Sequence, residues 1–198
     1  MILAIGDSFT LGEELSDLSL AWPFLVDDNA KNLGRSGTSN DSMLRLAMEN
    51  TIDKNWELVI VAWTHPARFE CYNEKIQDLD TIMPNSRTGL PWCNDFFKYS
   101  YNEKHAYIRW FRQILLLQSW FKQRQQSYLF AMISEITIDK ISYVPNSFWA
   151  HLDTSRYLGW PDKGFGEICK GTPLGANGHP LELGHQLISN EIRAHIGI

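Results

Sequence analysis

The sequence predicts a single α/β domain built on a mostly parallel sheet, and three observations carry that reading. Three short apolar runs, Ile2 to Ile5, Leu58 to Ala62 and Tyr128 to Ile133, have the length and the Val/Ile/Phe/Tyr content of strands buried on both faces. Segments with helical periodicity lie between and after them, and the alternation implies βαβ units. Polar and glycine-rich turns stand just past the strand ends, where the ligand crevice of an open α/β sheet forms.

Taken in order, the first strand stops at Gly6-Asp7-Ser8, and a further short strand is expected near residues 30 to 33, just before Gly34. Thr38, Ser39 and Asn40 are plausible N-caps for a helix whose apolar face carries Met43, Leu46 and Ala47, flanked by Leu44 and Met48. Tyr107, Trp110, Ile114, Leu117 and Phe121 mark a longer helix, with Arg109, Arg112 and Lys122 available to its wet face. Ile188, Ile192 and Ile196 mark a closing helix. Two stretches, 70 to 103 and 135 to 176, show no sustained period, and loops that long in a compact domain usually have a function. At 198 residues and 44% hydrophobic content the chain is read as one domain, 1–198.

Composition excludes several function classes. The net charge is −5 and no Lys/Arg block interrupts the chain, so a nucleic-acid footprint is missing. No segment approaches the roughly 20 apolar residues that span a bilayer, and no basic leader precedes the first strand, so a cytoplasmic location without membrane attachment is expected. Cys71, Cys93 and Cys169 are odd in number and scattered, which favours free thiols over a disulfide or zinc framework. His179, His185 and His195 match no common zinc spacing, and Gly164-Phe165-Gly166 is too short for a dinucleotide fingerprint. No metal or other cofactor is implied.

Ser8 sits where a nucleophile belongs, beyond a buried strand and at a helix start whose free N–H groups favour developing negative charge. The competing reading of Gly6-Asp7-Ser8 is an ordinary helix cap. Gly37, in Asn32-Leu33-Gly34-Arg35-Ser36-Gly37, lets backbone approach a ligand closely and offers an N–H near a helix start. Trp63-Thr64-His65-Pro66-Ala67-Arg68 follows the second long strand, and His179 is a base able to take the Ser8 proton near neutral pH.

Together these segments resemble the SGNH hydrolases, the GDSL-type serine esterases and lipases with a flavodoxin-like, three-layer α/β/α fold. Gly6-Asp7-Ser8 looks like the nucleophile block, and Ala21-Trp22-Pro23 falls where the family often has a similar tripeptide. Asn32 to Gly37 resembles the second block, whose last glycine donates a backbone N–H to the oxyanion. His179-Pro180 with Gly184-His185 resembles the final block, in which the first histidine is the base and the second is structural.

The resemblance implies ester hydrolysis through Ser8 and His179, with Ser8, Gly37 and His65 or Thr64 around the oxyanion. Two departures stand out. His65 occupies the position of the family's oxyanion-hole Asn, and Ala176 stands where an Asp normally orients the base. Asn177 is the nearest candidate to orient His179, with Asp153, Asp162, Glu182 or a backbone carbonyl as alternatives. Arg68 and Trp63 are candidate substrate contacts, Arg68 for a substrate carboxylate or an acidic loop. Trp92, Phe96, Phe97, Tyr99, Tyr143, Phe148, Trp149, Tyr157, Trp160 and Phe165 place aromatic faces on the long loops, which suits sugar rings or short acyl chains, or else closes a second small core.

The favoured substrate is therefore a small-molecule or glycan ester, cleaved by a carbohydrate O-deacetylase or short-chain carboxylesterase. The alternative is a catalytically weakened glycan-binding or structural module. The wording from Trp63 to Glu74 is similar to a bacteriophage-encoded subgroup, which would place the protein in host cytosol or a virion.

Overall fold

The three apolar runs become the three long strands of one four-stranded parallel sheet. These are β1 (Ile2–Ile5), β3 (Leu58–Trp63) and β6 (Tyr128–Met132), with the two-residue β2 (Lys31–Asn32) at one edge, in the order β2-β1-β3-β6. The computed structural model describes residues 1–84, 90–134, 140 and 142–198. Part of the stretch from 135 to 176 lies outside the described residues.

Strand side chains alternate faces, so each strand feeds two cores. Leu3, Ile5, Val59, Val61, Trp63 and Phe130 pack against α3 (Asn40–Thr51) and α4 (Glu103–Gln123). Ile2, Ala4, Ile60, Ala62, Leu129 and Ala131 pack against α2 (Trp22–Val26), α5 (Phe165–Ile168) and α6 (Glu182–Ile196). Two apolar faces on one sheet explain the continuous apolar runs and give three layers, α/β/α.

The helices start where capping chemistry allows. Ser39 Oγ accepts from Ser42 N–H at 3.2 Å, and Asn102 Oδ1 from His105 N–H at 2.9 Å. No helix among the described residues is long and apolar enough to cross a membrane.

Three expectations need correction. First, the stretch after residue 70 contains an antiparallel hairpin, β4 (Phe69–Asn73) and β5 (Asp78–Ile82), turned at Gln77 with φ 55°. Its charged and half-exposed residues hide the two-residue period. Second, Arg109 is not a solvated residue of α4. It is half-buried, pairs with Asp41 at 3.3 Å and donates to the carbonyls of Pro66 and Arg68, which pins the loop after β3.

Third, of the two readings offered for the loop aromatics, packing holds for most, and they extend the two main cores without forming a separate one. Tyr157 and Phe165 are buried, Tyr143, Phe148, Trp149 and Trp160 pack on the first core, and Phe96 and Phe97 close on Phe69. Only Trp92 and Tyr99 are largely exposed.

The Ser8 side of the sheet is tightly built. A Cβ at Gly34 would lie 2.3 Å from the Leu11 backbone nitrogen, which cannot move without breaking α1 (Ser8–Leu11). Gly34→Ala is therefore expected to lower stability by about 1–3 kcal/mol as overpacking. Urea denaturation reads this as a reduced midpoint at unchanged slope.

Candidate active site

The strand order reverses at β1, between β2 and β3, and the crevice lies just beyond the C-terminal ends of β1 and β3. There a cavity of about 500 Å³ is lined by Asp7, Ser8, Phe9, Thr64, His65, Arg68, Ile133, Ser134, Gly166, Glu167, Asn177, Gly178 and His179. Five segments far apart in the chain, at residues 7–9, 64–68, 133–134, 166–167 and 177–179, thus meet at one place, and Ser8 and His179 are together in it.

Asp7 ends the strand and caps α1, with Oδ1 accepting from Phe9 N–H at 3.0 Å. Ser8 is the first helical residue, so its own N–H has no intrahelical acceptor and is free for a developing oxyanion. The other Asp7 oxygen accepts from Thr64 Oγ1 at 2.8 Å and from Arg68 Nη1 at 3.0 Å. Burial pushes the Asp7 carboxyl above its ordinary value of 3.8, against the pull of Arg68 and the hydrogen bonds. The Asp7-Ser8 turn is thereby stapled to the loop after β3.

These contacts redefine three site candidates. Thr64 has no donor left for an oxyanion: its hydroxyl is on Asp7 and its N–H donates to Asn40 Oδ1 at 2.9 Å. Arg68 lines the cavity, but its guanidinium is held by Asp7 and the Thr38 carbonyl. Trp63 contacts no substrate space, being fully buried and edge-on to Phe130 in the first core.

Gly37 has a left-handed φ of 68° and lines an adjoining groove with Arg45, Glu70 and Asp80, not the Ser8 cavity. Its turn is tied to the end of β1 two residues earlier, where Arg35 N–H donates to the Gly6 carbonyl at 3.1 Å.

His65 does face the cavity. Its Nδ1 accepts from Ala67 N–H at 3.1 Å, which leaves the proton of the neutral ring on Nε2. Partial desolvation against the cavity wall, and then the nearby Arg68 charge, hold the pKa of this half-exposed ring below the ordinary 6.5, so at neutral pH it is an uncharged donor. That is the property an oxyanion-hole Asn supplies. His65→Ala is expected to cut kcat by about 100- to 1,000-fold with little change in KM, and His65→Asn to recover part of it. Steady-state kinetics on an aryl acetate checks both.

His179 is held in a way the sequence did not suggest. His179 Nδ1 lies 2.8 Å from Glu14 Oε2, and the same carboxylate accepts from the backbone N–H of Asn177 at 2.9 Å and of His179 at 3.2 Å. These bonds, led by Asn177 N–H, hold the Glu14 pKa below its ordinary 4.5. Asn177 is therefore not the acceptor on His179; both its N–H and its amide donate to Glu14. Asp153 is engaged elsewhere, with Lys122 and Ser155.

A second carboxylate, Glu13, lies 3.7 Å from His179 Nε2 and accepts from Ser36 Oγ at 2.6 Å. Glu13 and Glu14 reach the site because α1 is a single turn ended by Gly12 at φ 86°, which reverses the chain toward residues 175–179. Only the tight Gly-Glu-Glu spacing after the nucleophile could have signalled this.

The second histidine of the final block behaves as a structural residue. His185 is fully buried on α6, and its Nδ1 accepts from Trp22 N–H at 3.2 Å.

No protein-family model matches the chain, and no curated protein matches it. Solved structures do. A putative lipolytic protein of the G-D-S-L family from Desulfitobacterium hafniense superposes with a TM-score of 0.61 at 11% identity, over 98% of both chains. The esterase EstA from Pseudoalteromonas, solved with monoethylphosphonate, gives 0.56 at 14% identity over 99% of this chain and 96% of that one. An acetyl xylan esterase from Butyrivibrio proteoclasticus gives 0.58 at 11% identity over 99% of this chain and 64% of that one. The chain thus has the GDSL/SGNH hydrolase fold, with Ser8 and His179 at the crevice of that fold.

Proposed function

We propose that the protein is a serine ester hydrolase of short acyl groups, a carbohydrate O-deacetylase or short-chain carboxylesterase. The observation that carries this reading is the meeting of Ser8 and His179 in one cavity, with a carboxylate on the far nitrogen of the imidazole. Glu14 accepts the Nδ1 proton, so Nε2 is the basic nitrogen. It takes the Ser8 Oγ proton as Oγ attacks the ester carbonyl, then returns it to the departing alcohol. Water adds to the acyl-enzyme by the same route, releasing the acid and restoring Ser8. The Ser8 N–H and His65 Nε2–H are the oxyanion donors of this scheme.

The lining supports small acyl groups and a polar alcohol. Phe9 and Ile133 are the main apolar side chains there, beside the Gly166 backbone, while the rest of the wall is polar or charged. A similar fold serves a protein described as an acetyl xylan esterase. Release of acid from p-nitrophenyl acetate, p-nitrophenyl decanoate and acetylated oligosaccharides tests the proposal. Acetyl esters are expected to turn over fastest, and Ser8→Ala and His179→Ala to lose nearly all of that turnover. Native turnover indistinguishable from the variants would favour a glycan-binding module instead.

A further inference from the structure

We propose that Glu14 is the positioning carboxylate of a Ser8–His179–Glu14 triad, supplied from the turn after the nucleophile and not from the loop that carries the base. The proposal rests on the hydrolase reading above and names the group that reading needs on His179 Nδ1.

Four observations point the same way. The Glu14 carboxylate is within hydrogen-bond distance of Nδ1 at 2.8 Å, and its side chain is only 14% exposed. Backbone N–H groups of Asn177 and His179 hold it, so it is fixed relative to the residue it orients. The loop makes room for it: a Cβ at Gly175 would lie 2.5 Å from Glu14 Cδ, a clash with the carboxylate itself. Glu14 also adopts φ 71°, a left-handed conformation that costs a non-glycine residue energy and persists only where its surroundings enforce it.

The chemistry follows from the geometry. A carboxylate on Nδ1 keeps the proton there, leaves the Nε2 lone pair free for Ser8, and stabilises the imidazolium formed as the Ser8 proton transfers. An amide of the same shape can accept from Nδ1–H but carries no charge to stabilise the imidazolium. Ala176, three residues before the base, carries no acid, and the carboxylate comes instead from the turn after α1. Glu13 is distinct: it stands beyond hydrogen-bond distance of Nε2 at 3.7 Å and is occupied by Ser36.

The test combines kinetics with proton NMR of the full chain. Native protein and Ser8→Ala are expected to show a strongly downfield exchangeable proton from Nδ1–H on the carboxylate, absent from Glu14→Gln and His179→Ala. Glu14→Gln, whose amide oxygen can still accept from Asn177 and His179 N–H, is expected to lower kcat on p-nitrophenyl acetate by about 10³- to 10⁴-fold with KM little changed. Glu14→Asp should recover part of the rate, and Glu13→Gln should retain the downfield proton.

Gly175→Ala should lose rate by displacing the carboxylate, and adding it to Glu14→Gln should cost little more, the non-additivity of coupled residues. Persistence of the downfield proton in Glu14→Gln, or retention of kcat within about tenfold while the native protein hydrolyses ester, overturns the triad assignment and leaves the esterase standing. A native protein that shows the proton but turns over no ester overturns the hydrolase reading and with it the catalytic purpose of the triad.

Discussion

Ser8→Ala is expected to cut ester turnover by about 10⁵- to 10⁶-fold, and His179→Ala by a similar factor, because nucleophile and base act as one unit. The double variant should be no slower than either single one. A residual rate of about 10³ over water should remain, since the Ser8 N–H, His65 and the cavity still bind and polarise the ester. Neither variant should disturb the fold. Ser8 lies outside both hydrophobic cores, so losing its one oxygen leaves them intact, and the 175–179 loop stays tied to Glu14 through Asn177 N–H in His179→Ala. Comparison of kcat and KM for the two single variants and the double on p-nitrophenyl acetate checks this, and additive losses would show that the two residues do not share a step.

The second large effect is on stability. His185 is fully buried, and burial lowers its pKa from 6.5 to about 4. The unfolded chain therefore binds a proton that the native state refuses, so the contribution is complete above pH 6.5 and is lost as pH falls toward 4. A shift of that size corresponds to about 3 kcal/mol across the window. Glu14 acts in the same direction at lower pH, because its carboxyl is held below 4.5 and its protonation releases the loop of the base. Chemical denaturation at a series of pH values should show the decline, and His185→Gln should flatten its upper part. An unchanged slope in that variant would place the linkage elsewhere.

How much of this was legible in the sequence depended on whether a signal was local. The sheet was readable because Leu3, Val59 and Phe130 lie in runs apolar on both faces, and α3, α4 and α6 because their buried positions recur at helical spacing. The hairpin was not, since Glu70, Asp78 and Asp80 sit on a half-exposed ribbon that offers no clean alternation. That Ser8, His65 and His179 would share a cavity was legible from their place just beyond strands or before the last helix. Thr64, Arg68 and Trp63 were legible as neighbours of the site, but not in their roles. Whether Thr64 Oγ–H points at a substrate or at Asp7 is decided by a contact 57 residues away in the chain.

Glu14 was invisible for the same reason. Its partner lies 165 residues away, and what admits it, the missing Cβ of Gly175, means nothing until the two loops are brought together.

The central claim is that Ser8 is an activated nucleophile with His179 as its base. The most direct measurement is treatment of the native chain with a fluorophosphonate, followed by mass spectrometry of its peptides. One phosphonyl adduct per chain, on Ser8, is expected, abolished in Ser8→Ala and slowed sharply in His179→Ala. A native chain left unmodified from mildly acidic to mildly basic pH, or modified on a residue other than Ser8, would contradict the account.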